Sequence, residues 1–408
     1  MSKEYNKALI PERRFPDFMT DESWKIMSFG KAFSRITTKN AENNTNVLTI
    51  SAQHGLVSQT EYFKRSVAAK DLTGYYLLQK GDFAYNKSYS KGYPMGAIKP
   101  LKLYEQGVVS TLYICFKTKN GFSSDYFEHY FESGSLNSEV SKIAQEGGRA
   151  HGLLNVSVKE FFRDVRLMVP TLPEQQKIAD CLSSFDERIA LEEKKLDVLK
   201  AYKKGLMQQL FPAASEELPK VRFPEFLNQN GWEPKTLGEV CHMQAGKFVR
   251  ASEITHESDD GLHPCFGGNG LRGYTRTFTH VGKYSLIGRQ GALCGNVNLV
   301  SGSFHATEHA VVVTPTKSVD TDWLFYMLMN LNLNQYATGQ AQPGLSVDNL
   351  EKVALCVPCN IKEQQKIAEF LDSIKKLIDD QTEKLSFLKL YKKGLMQQLF
   401  PLMEKMGI

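Results

Sequence analysis

The sequence contains no apolar run of about 18 residues, the length that a membrane-spanning helix needs, and no basic segment followed by an apolar one after Met1. Nothing in it therefore predicts membrane insertion or export, and no membrane partner is expected. The seven cysteines are odd in number and scattered, which is typical of a reducing compartment, so we expect a cytoplasmic location. The Cys356-x-x-Cys359 pair lacks a second ligand pair at zinc spacing, and we interpret it as structural thiols.

Motifs of catalysis are also missing. The chain has no Walker pattern, no His-Glu-x-x-His and no convincing carboxylate core of a nuclease. Phe266 to Gly270 fits a Phe-x-Gly-x-Gly pattern of methyltransferases, but the adenine clamp that should follow it is absent. His305 and His309 lie beside a strand-like run, so both are predicted to be structural. We expect a binding protein with no catalytic residue, no metal and no cofactor.

A long segment of the chain occurs twice. Residues 174–212 recur without gaps as 363–401, and about 24 of the 39 positions are identical. A shorter repeat precedes each copy, since Arg14-Phe-Pro-Asp-Phe18 and Trp24 recur as Arg222-Phe-Pro-Glu-Phe226 and Trp232. The regions between these repeats are barely similar. This pattern predicts a duplicated scaffold that carries two different domains.

Apolar residues in each long copy recur at steps of four and three, the pattern of a coiled-coil seam. The seam consists of Ile178, Leu182, Phe185, Ile189, Leu196 and Leu199 in the first copy and of Ile367, Leu371, Ile374, Ile378, Leu385 and Leu388 in the second. Glu192/Gln381 and Lys203/Lys392 interrupt it at equivalent positions, which favours one register. Each copy predicts a helix of about 37 residues, roughly 55 Å long.

The order of segments predicts how the two helices run. Each helix leaves a different variable region, so the two can share a seam only if they are antiparallel. Contact between the C-terminal and N-terminal segments would make the halves equivalent about a pseudo-twofold axis. Gly205 and Gly394 lie late in the helices, where glycine costs about 1 kcal/mol relative to alanine. They predict a close crossing or a helix break, with a tolerated exposed glycine as the alternative.

The variable regions are predicted to mix helices and strands. Strand-like runs cover 47–50, 108–116 and 310–313, and glycine- and asparagine-rich turns separate them. Helices are predicted over 321–331 and, as its counterpart, over 124–131.

Each variable region has one long stretch without acidic residues. No acid occurs between Asp82 and Glu105 or between Asp260 and Glu308, and both stretches combine basic with aromatic residues. Nucleic-acid binding needs this pairing of phosphate and base contacts, although a solvated basic face is an equal alternative from these stretches alone.

Taken together, these motifs resemble the DNA-specificity subunits of type I restriction-modification systems. The resemblance covers nearly the whole chain. Its residues are Pro-x-x-Arg-Phe-Pro-x-Phe with a later Trp at both unit starts, 81–87 in the first domain, 266–274 and 286–292 in the second, and both Glu-Gln-Gln-Lys-Ile-Ala helices that end in Gln-Gln-Leu-Phe-Pro.

The resemblance implies a fold, a function and partners. It implies an α+β fold with two mixed α/β target-recognition domains, 1–170 and 213–360, joined by spacer helices 171–212 and 361–408. Each domain would read one half of an asymmetric double-stranded DNA target. Two modification (methyltransferase) subunits would dock on the repeated regions, and restriction (translocase and nuclease) subunits would join them. Adenine methylation and ATP-dependent cleavage would then reside in those partners.

Side chains in the acid-free loops and beside them are the candidate DNA contacts. Forked or bidentate groups are predicted to read bases: Asn86, Lys87, Arg149, His151, Asn269, Arg272, Arg289, Gln290, Gln340 and Gln342. Other cations are predicted to contact phosphates: Lys64, Arg65, Lys91, Lys99 and Arg276. Two other functions stay open at this point, a self-sufficient DNA adenine methyltransferase and a coiled-coil adaptor that binds protein.

Overall fold

A computed structural model of the chain describes residues 10–63, 68–146, 152, 154–213, 216–291, 293–339 and 343–403. The chain forms two compact units, Met1–Glu192 with Lys384–Ile408 and Glu193–Glu383. Each unit combines strands with helices, and two long helices contribute to both, so the predicted α+β class is confirmed. The predicted domain limits follow the chain, whereas the compact units divide each long helix. Among the described residues no helix is long and apolar enough to cross a membrane.

The first unit contains short strands, short helices and parts of both long helices. Its strands are β1 (Lys25–Ser28), β2 (Phe33–Arg35), β3 (Leu48–Ser51), β4 (Gly55–Ser58), β5 (Tyr76–Gln79), β6 (Phe83–Asn86), β7 (Ala97–Pro100), β8 (Gln106–Val109), β9 (Ile114–Thr118), β10 (Gln145–Glu146), β11 (Leu154–Asn155) and β12 (Arg166–Val169). Its helices are α1 (Phe29–Ala32), α2 (Gln59–Phe63), α3 (Ser124–Glu132), α4 (Asn137–Ile143), α5 (Val158–Asp164), the start of α6 (Leu172–Leu210) and the end of α10 (Ile361–Leu399).

Antiparallel pairing builds the sheets of the first unit. One sheet has the order β2-β9-β6-β7, and the pairs β1-β12, β3-β4, β5-β8 and β10-β11 flank it. The predicted strand over 108–116 is wrong as one element, because the Tyr113 amide donates to the Ser110 carbonyl at 3.1 Å and turns the chain between β8 and β9. The predicted helix over 124–131 is confirmed as α3.

Aromatic packing forms the main core of the first unit. The Phe29 ring lies 4.4 Å from Phe33 and 4.5 Å from Phe161, and all three side chains are buried. Near the C-terminus of the chain, Phe400 packs 5.6 Å from Tyr126 in the same core. The Arg13 amide donates to the Gln398 carbonyl at 3.0 Å, so the C-terminal and N-terminal segments meet in this unit, as the order of the repeats predicts.

The second unit also combines strands and short helices with parts of both long helices, but its strands are arranged differently. Its strands are β13 (Trp232–Thr236), β14 (Cys241–Ala245), β15 (His263–Gly267), β16 (Gly270–Thr275), β17 (His280–Gly288), β18 (Val297–Ala306), β19 (Ala310–Pro315) and β20 (Ala354–Pro358). Its helices are the end of α6, α7 (Leu237–Val240), α8 (Thr321–Asn330), α9 (Val347–Glu351) and the start of α10 (Ile361–Leu399).

The main sheet of the second unit has the order β14-β19-β17-β18-β15-β16, and β13 pairs with β20 beside it. Its pairs are antiparallel except β15-β18, which is parallel. Trp323 of α8 is fully buried between the Trp232 and Phe211 rings, at 6.1 and 6.2 Å. The predicted strand over 310–313 and helix over 321–331 are confirmed as β19 and α8.

The two long helices are continuous and run antiparallel where they meet in the first unit. Phe185 of α6 packs 5.6 Å from Tyr391 of α10, and Lys384 donates to Glu192 at 2.7 Å, so rising numbers on one helix face falling numbers on the other. All twelve predicted seam residues are buried or half-buried. A pseudo-twofold relation between the units stays a prediction.

The polar residues that interrupt the seam have partners. Glu192 is 5 % exposed, forms an ion pair with Arg188 and accepts a hydrogen bond from Lys384. The Lys203 ammonium lies 5.0 Å from the centre of the Tyr326 ring, and burial lowers its pKa. Lys392 pairs with Asp186. Charged partners at these positions penalise a shifted register, because a shift would bury an unpaired charge.

The prediction of a close crossing or a break at Gly205 and Gly394 is wrong. Both helices continue through these residues, and among the described residues a Cβ added at either one would meet no heavy atom within 4 Å beyond the backbone of its own helix. Both glycines fit the alternative, a glycine that the helix tolerates without a structural need for it.

Alanine at Gly205 or Gly394 should therefore stabilise the protein by up to about 1 kcal/mol per site, because alanine loses less backbone entropy in a helix. Urea unfolding of each variant measures the change. Gly295→Ala is the matched control, since Gly295 has a φ of +87° and its Cβ would lie 2.4 Å from the Asn334 nitrogen. That variant should be destabilised. Loss of stability in G205A or G394A would contradict the assignment of open space.

A buried carboxylate in the first turn of each long helix fastens it to its unit. Glu174 accepts two hydrogen bonds from Arg14, at 2.8 and 2.7 Å, and one from the Trp24 indole at 3.2 Å. The Arg14 and Glu174 side chains are only 3 % and 1 % exposed. The same arrangement holds Glu363, with Arg222 at 2.8 Å twice and Trp232 at 3.2 Å. We call each set the Arg–Trp–Glu clamp.

The glutamine after each clamp carboxylate holds a second element. The Gln175 side chain accepts from the Ser123 amide at 2.9 Å and donates to the Pro170 carbonyl at 3.0 Å. Gln364 does the same with the Asp320 amide, at 2.7 Å, and the Pro358 carbonyl, at 3.1 Å. Ser123 and Asp320 are the N-caps of α3 and α8. The repeated Glu-Gln pair thus joins the long helix to both the N-terminal segment and the neighbouring helix of its unit.

Glu174→Gln should destabilise the first unit, and Glu363→Gln the second, each by about 3–5 kcal/mol, because each change leaves a buried guanidinium without its counter-charge. Amide hydrogen exchange resolved by segment measures the two units separately. Glu187→Gln on the exposed side of α6 is the charge-matched control and should change neither unit. Equal effects of E174Q on both units would contradict the local role of the clamp.

Candidate nucleic-acid interface

Three turns meet at one edge of the main sheet in the second unit. They are the turn 267–270 between β15 and β16, the segment 288–291 after β17 and the turn 307–309 between β18 and β19. The Arg289 amide donates to the His309 carbonyl at 3.1 Å, and the Thr307 amide donates to the Phe266 carbonyl at 2.9 Å. We call these residues the glycine edge.

Glycine is required here because the backbones approach each other closely. A Cβ on Gly288 would lie 2.0 Å from the Gly268 carbonyl oxygen, and a Cβ on Gly268 would lie 2.9 Å from that of His309. Any side chain at these positions would push the turns apart. The glycines that resembled a cofactor loop in sequence therefore bring three polar turns together.

Three sequence-predicted residues of the second unit, Asn269, Arg289 and Gln290, lie in the glycine edge, and Arg272 of β16 lies beside Gly267. Asn269, Arg272 and Gln290 are exposed, and Arg289 is half-buried. None of these four side chains has a hydrogen-bond or ion-pair partner within the described part of the chain. Arg276, predicted to contact phosphate, is exposed at the end of β16 and likewise has no described partner.

Sequence reasoning missed Thr307, Glu308 and His309. Their only signal was that Glu308 ends the acid-free stretch, so it read as a boundary. His309 was predicted to be structural, but its side chain is 42 % exposed, and its Nδ1 has no partner among the described residues. That prediction is wrong, whereas His305 is buried between Thr277 at 2.9 Å and the Lys247 carbonyl at 3.0 Å, as a structural histidine should be.

A positively charged and a negatively charged side chain both lie near the glycine edge. Burial raises the pKa of the Cys265 thiol, while the nearby Arg272 lowers it and Glu308 raises it. A guanidinium and a carboxylate therefore both lie close enough to this thiol to affect its pKa. This edge offers donors and an acceptor together, which is what the edges of base pairs require.

A groove of about 350 Å³ in the first unit holds candidate residues of the first acid-free stretch. Asn86 and Lys91 line it together with His54, Tyr62 and Tyr89. Tyr89 is 63 % exposed and Tyr62 50 %. Lys87 is half-buried next to it, and its carbonyl accepts from the Leu154 amide at 3.0 Å. The groove combines amide, ammonium and aromatic groups, which suits contact with nucleotides.

The structure contradicts the predicted phosphate contact of Lys99. Its side chain is 9 % exposed, and its ammonium is bound to Glu132 and lies 3.3 Å from the Tyr93 hydroxyl. Charge counting from sequence cannot reveal that β7 turns this lysine inward. The predicted contacts Lys64, Arg65, Arg149, His151, Gln340 and Gln342 lie outside the described residues.

Metal ligands do not cluster within the described ranges, where no group of three His, Cys, Asp or Glu could hold an ion. Cys356 is half-buried and Cys359 exposed, and both are free thiols. Burial raises the pKa of both.

The model of one protein family, described as the type I restriction modification DNA specificity domain, matches residues 29–201 and again 229–389. The chain belongs to this family. The two matches correspond to the two repeats, and together they cover most of the chain. The resemblance that the motifs suggested is thereby confirmed, and the specificity-subunit function it implies is supported over both alternatives.

Similar curated proteins carry the same description. The specificity subunit of the EcoprrI enzyme from Escherichia coli is 49 % identical over 150 residues, which span 36 % of this chain and 37 % of that protein. The MjaVIII specificity subunit from Methanocaldococcus jannaschii is 27 % identical over 322 residues, or 73 % of this chain and 74 % of that protein.

Solved structures share the fold. A type I restriction-modification S subunit from M. genitalium covers 96 % of this chain and 99 % of its own, with a TM-score of 0.60 and 15 % identity. A chain from a structure on complex assembly and conformational transition of a type I system covers 92 % of this chain and 97 % of its own, with a TM-score of 0.57 and 18 % identity.

Proposed function

We propose that this chain is the specificity subunit of a type I restriction-modification complex and that it binds double-stranded DNA by sequence. The glycine edge of the second unit reads one half of a bipartite target, and the groove of the first unit reads the other half. The two sites differ in every residue named for them, so the target is asymmetric. The chain contributes recognition and no catalysis. Methylation and ATP-dependent cleavage belong to partner subunits.

One observation carries this proposal: the two units have different candidate binding sites but are attached to the long helices by the same contacts. Each unit is attached through the same Arg–Trp–Glu clamp, yet one presents a groove with Asn86 and Lys91 and the other an edge with Arg272 and Arg289. A scaffold that repeats while its binding residues change is what reading two different half-sites requires.

The long helices set the distance between the half-sites under this proposal. Each helix is a continuous element of 39 residues, about 58 Å at 1.5 Å per residue, and it begins in one unit and ends in the other. The seam and its charged interruptions favour a single register. A helical strut with one register is stiff enough to act as a spacer.

Exposed apolar side chains on the helices support docking of modification subunits. Val198 and Tyr202 on α6 are 59 % and 51 % exposed, and the equivalent Phe387 and Tyr391 on α10 are 63 % and 45 % exposed. Residues four apart share a helix face, so each helix presents a matching apolar patch. Two equivalent patches suit two copies of one partner. Restriction subunits would join that complex in the cytoplasm.

Charge reversal should separate the two half-sites. Arg272→Glu is expected to weaken binding through the half-site of the second unit by about tenfold or more, because an arginine–guanine or phosphate contact is replaced by repulsion. Lys91→Glu is the matched change in the first unit and should affect the other half-site. Binding of the assembled complex to duplexes with one half-site scrambled measures both. Equal losses at both half-sites in either variant would refute the two-site assignment.

Shortening both helices by one heptad should change the spacing between half-sites. Counted from the Glu192–Lys384 pair, residues 193–199 of α6 face 377–383 of α10, so removing both segments keeps the seam in register. Each helix becomes about 10 Å shorter, which is close to the rise of three base pairs. Sequencing the methylated motif gives the spacer length. An unchanged spacer in a folded, methylating complex would contradict the role of the helices.

A further inference from the structure

Unpaired buried polar atoms concentrate at the glycine edge. Within the described ranges, Arg289 Nε, Thr307 Oγ1, Glu308 Oε2 and His309 Nδ1 are buried and have no hydrogen-bond partner. Folded proteins pair nearly all buried polar groups with protein, water or ligand, so a cluster without protein partners is a candidate ligand site. Thr307 is fully buried, which makes it part of a built site and not a loose surface.

The backbone fixes these side chains relative to each other. Gly288 pairs with Ala310 in the β17-β19 register, and the Arg289 amide bonds to the His309 carbonyl. The Arg289 carbonyl in turn accepts from the Leu345 amide at 2.8 Å. The arginine and the turn 307–309 are thus held at adjacent positions by main-chain bonds, so their side chains are free to bind a ligand.

Glu308 decides what kind of ligand group fits. A carboxylate repels phosphate, so it does not belong in a surface that contacts only the DNA backbone. Its side chain is 34 % exposed, and its Oε1 lies 3.3 Å from His309 Nε2, which orients it. In the major groove a carboxylate accepts from the N4 amino group of cytosine, and an arginine donates to O6 and N7 of guanine.

We propose that Arg289 and Glu308 together read one C·G base pair in the half-site of the second unit. Arg289 donates to the guanine edge, Glu308 accepts from the cytosine amino group, and His309 positions the carboxylate. Thr307 supplies a hydroxyl at the base of the site. This inference rests on the proposed DNA-binding function and names the base pair that one part of the glycine edge selects.

Selection from randomised duplexes tests the assignment. The probe is a pool of double-stranded DNA with randomised positions, retained on the complex of this chain with its modification subunits and then sequenced. Glu308→Gln should reduce the preference for C·G at one position of one half-site about tenfold or more, since an amide no longer offers two acceptors. Arg289→Lys should reduce it at the same position. Glu257→Gln in the exposed loop 256–260 is the matched control and should leave the motif unchanged.

The other half-site serves as an internal check that each variant complex is folded. An unchanged preference at every position in E308Q would overturn the inference, and so would an equal loss across the whole half-site, which would indicate a general effect on the unit. A shift at a position that carries an A·T pair would overturn the assigned base pair. If the unchanged protein retains no bipartite motif, the proposed function itself fails, so the two failures are distinguishable.

Discussion

The buried carboxylate at the start of each long helix is the interaction on which the architecture depends. Glu174 joins an arginine 160 residues away and a tryptophan 150 residues away to the first turn of α6. A lone buried carboxylate would be strongly unfavourable, and a bidentate guanidinium with an indole N–H satisfies it. Because the clamp sits in the first turn, it also lies at the positive end of the helix dipole. The carboxylate thereby holds the long helix, the segment of the Arg-Phe-Pro repeat and the tryptophan together. Glu363 makes the same contacts in the second unit.

This fastening explains why the regions between the repeats are free to differ. The clamp and the adjoining glutamine contact the segment of the Arg-Phe-Pro repeat, the tryptophan at or just before the first strand of the unit, the N-cap of one helix and a proline carbonyl before the long helix. In the second unit the glutamine also donates to the Ser318 carbonyl. The sheets beyond these contacts have different strand orders, β2-β9-β6-β7 in one unit and β14-β19-β17-β18-β15-β16 in the other. In addition, the Arg13 amide bonds to the Gln398 carbonyl at 3.0 Å, as the Val221 amide bonds to that of Gln209 at 3.1 Å. In both units the end of a long helix therefore bonds to the segment of the Arg-Phe-Pro repeat, and in the first unit that helix is α10.

The two long helices and the repeated segments were predictable from sequence, because they appear there as a periodic pattern and as a repeat. The apolar steps of four and three placed both helices, and the order of the repeats predicted their antiparallel direction and the contact between the N-terminal and C-terminal segments. The errors have one cause, which is that sequence shows residue type without environment. Lys99 counted as a free cation although Glu132 neutralises it inside the unit, and Gly205 suggested a contact where there is open space. Glu308 was read as the end of a basic stretch, since only the β18-β19 turn brings it beside Arg289.

Under the proposed function, stability and recognition are carried by different groups. At the glycine edge the turns are held by main-chain hydrogen bonds and by glycines that admit no side chain, such as Gly268 and Gly288. The side chains that face outward there contribute little to holding the fold, and buried polar atoms left unpaired among them lower its stability. Groups that cost stability persist where they bind something, and a backbone that needs no help from them can carry other side chains in their place. Under the proposed function, a change of recognised sequence would then require substitutions in three turns, with the clamps and the helices left as they are.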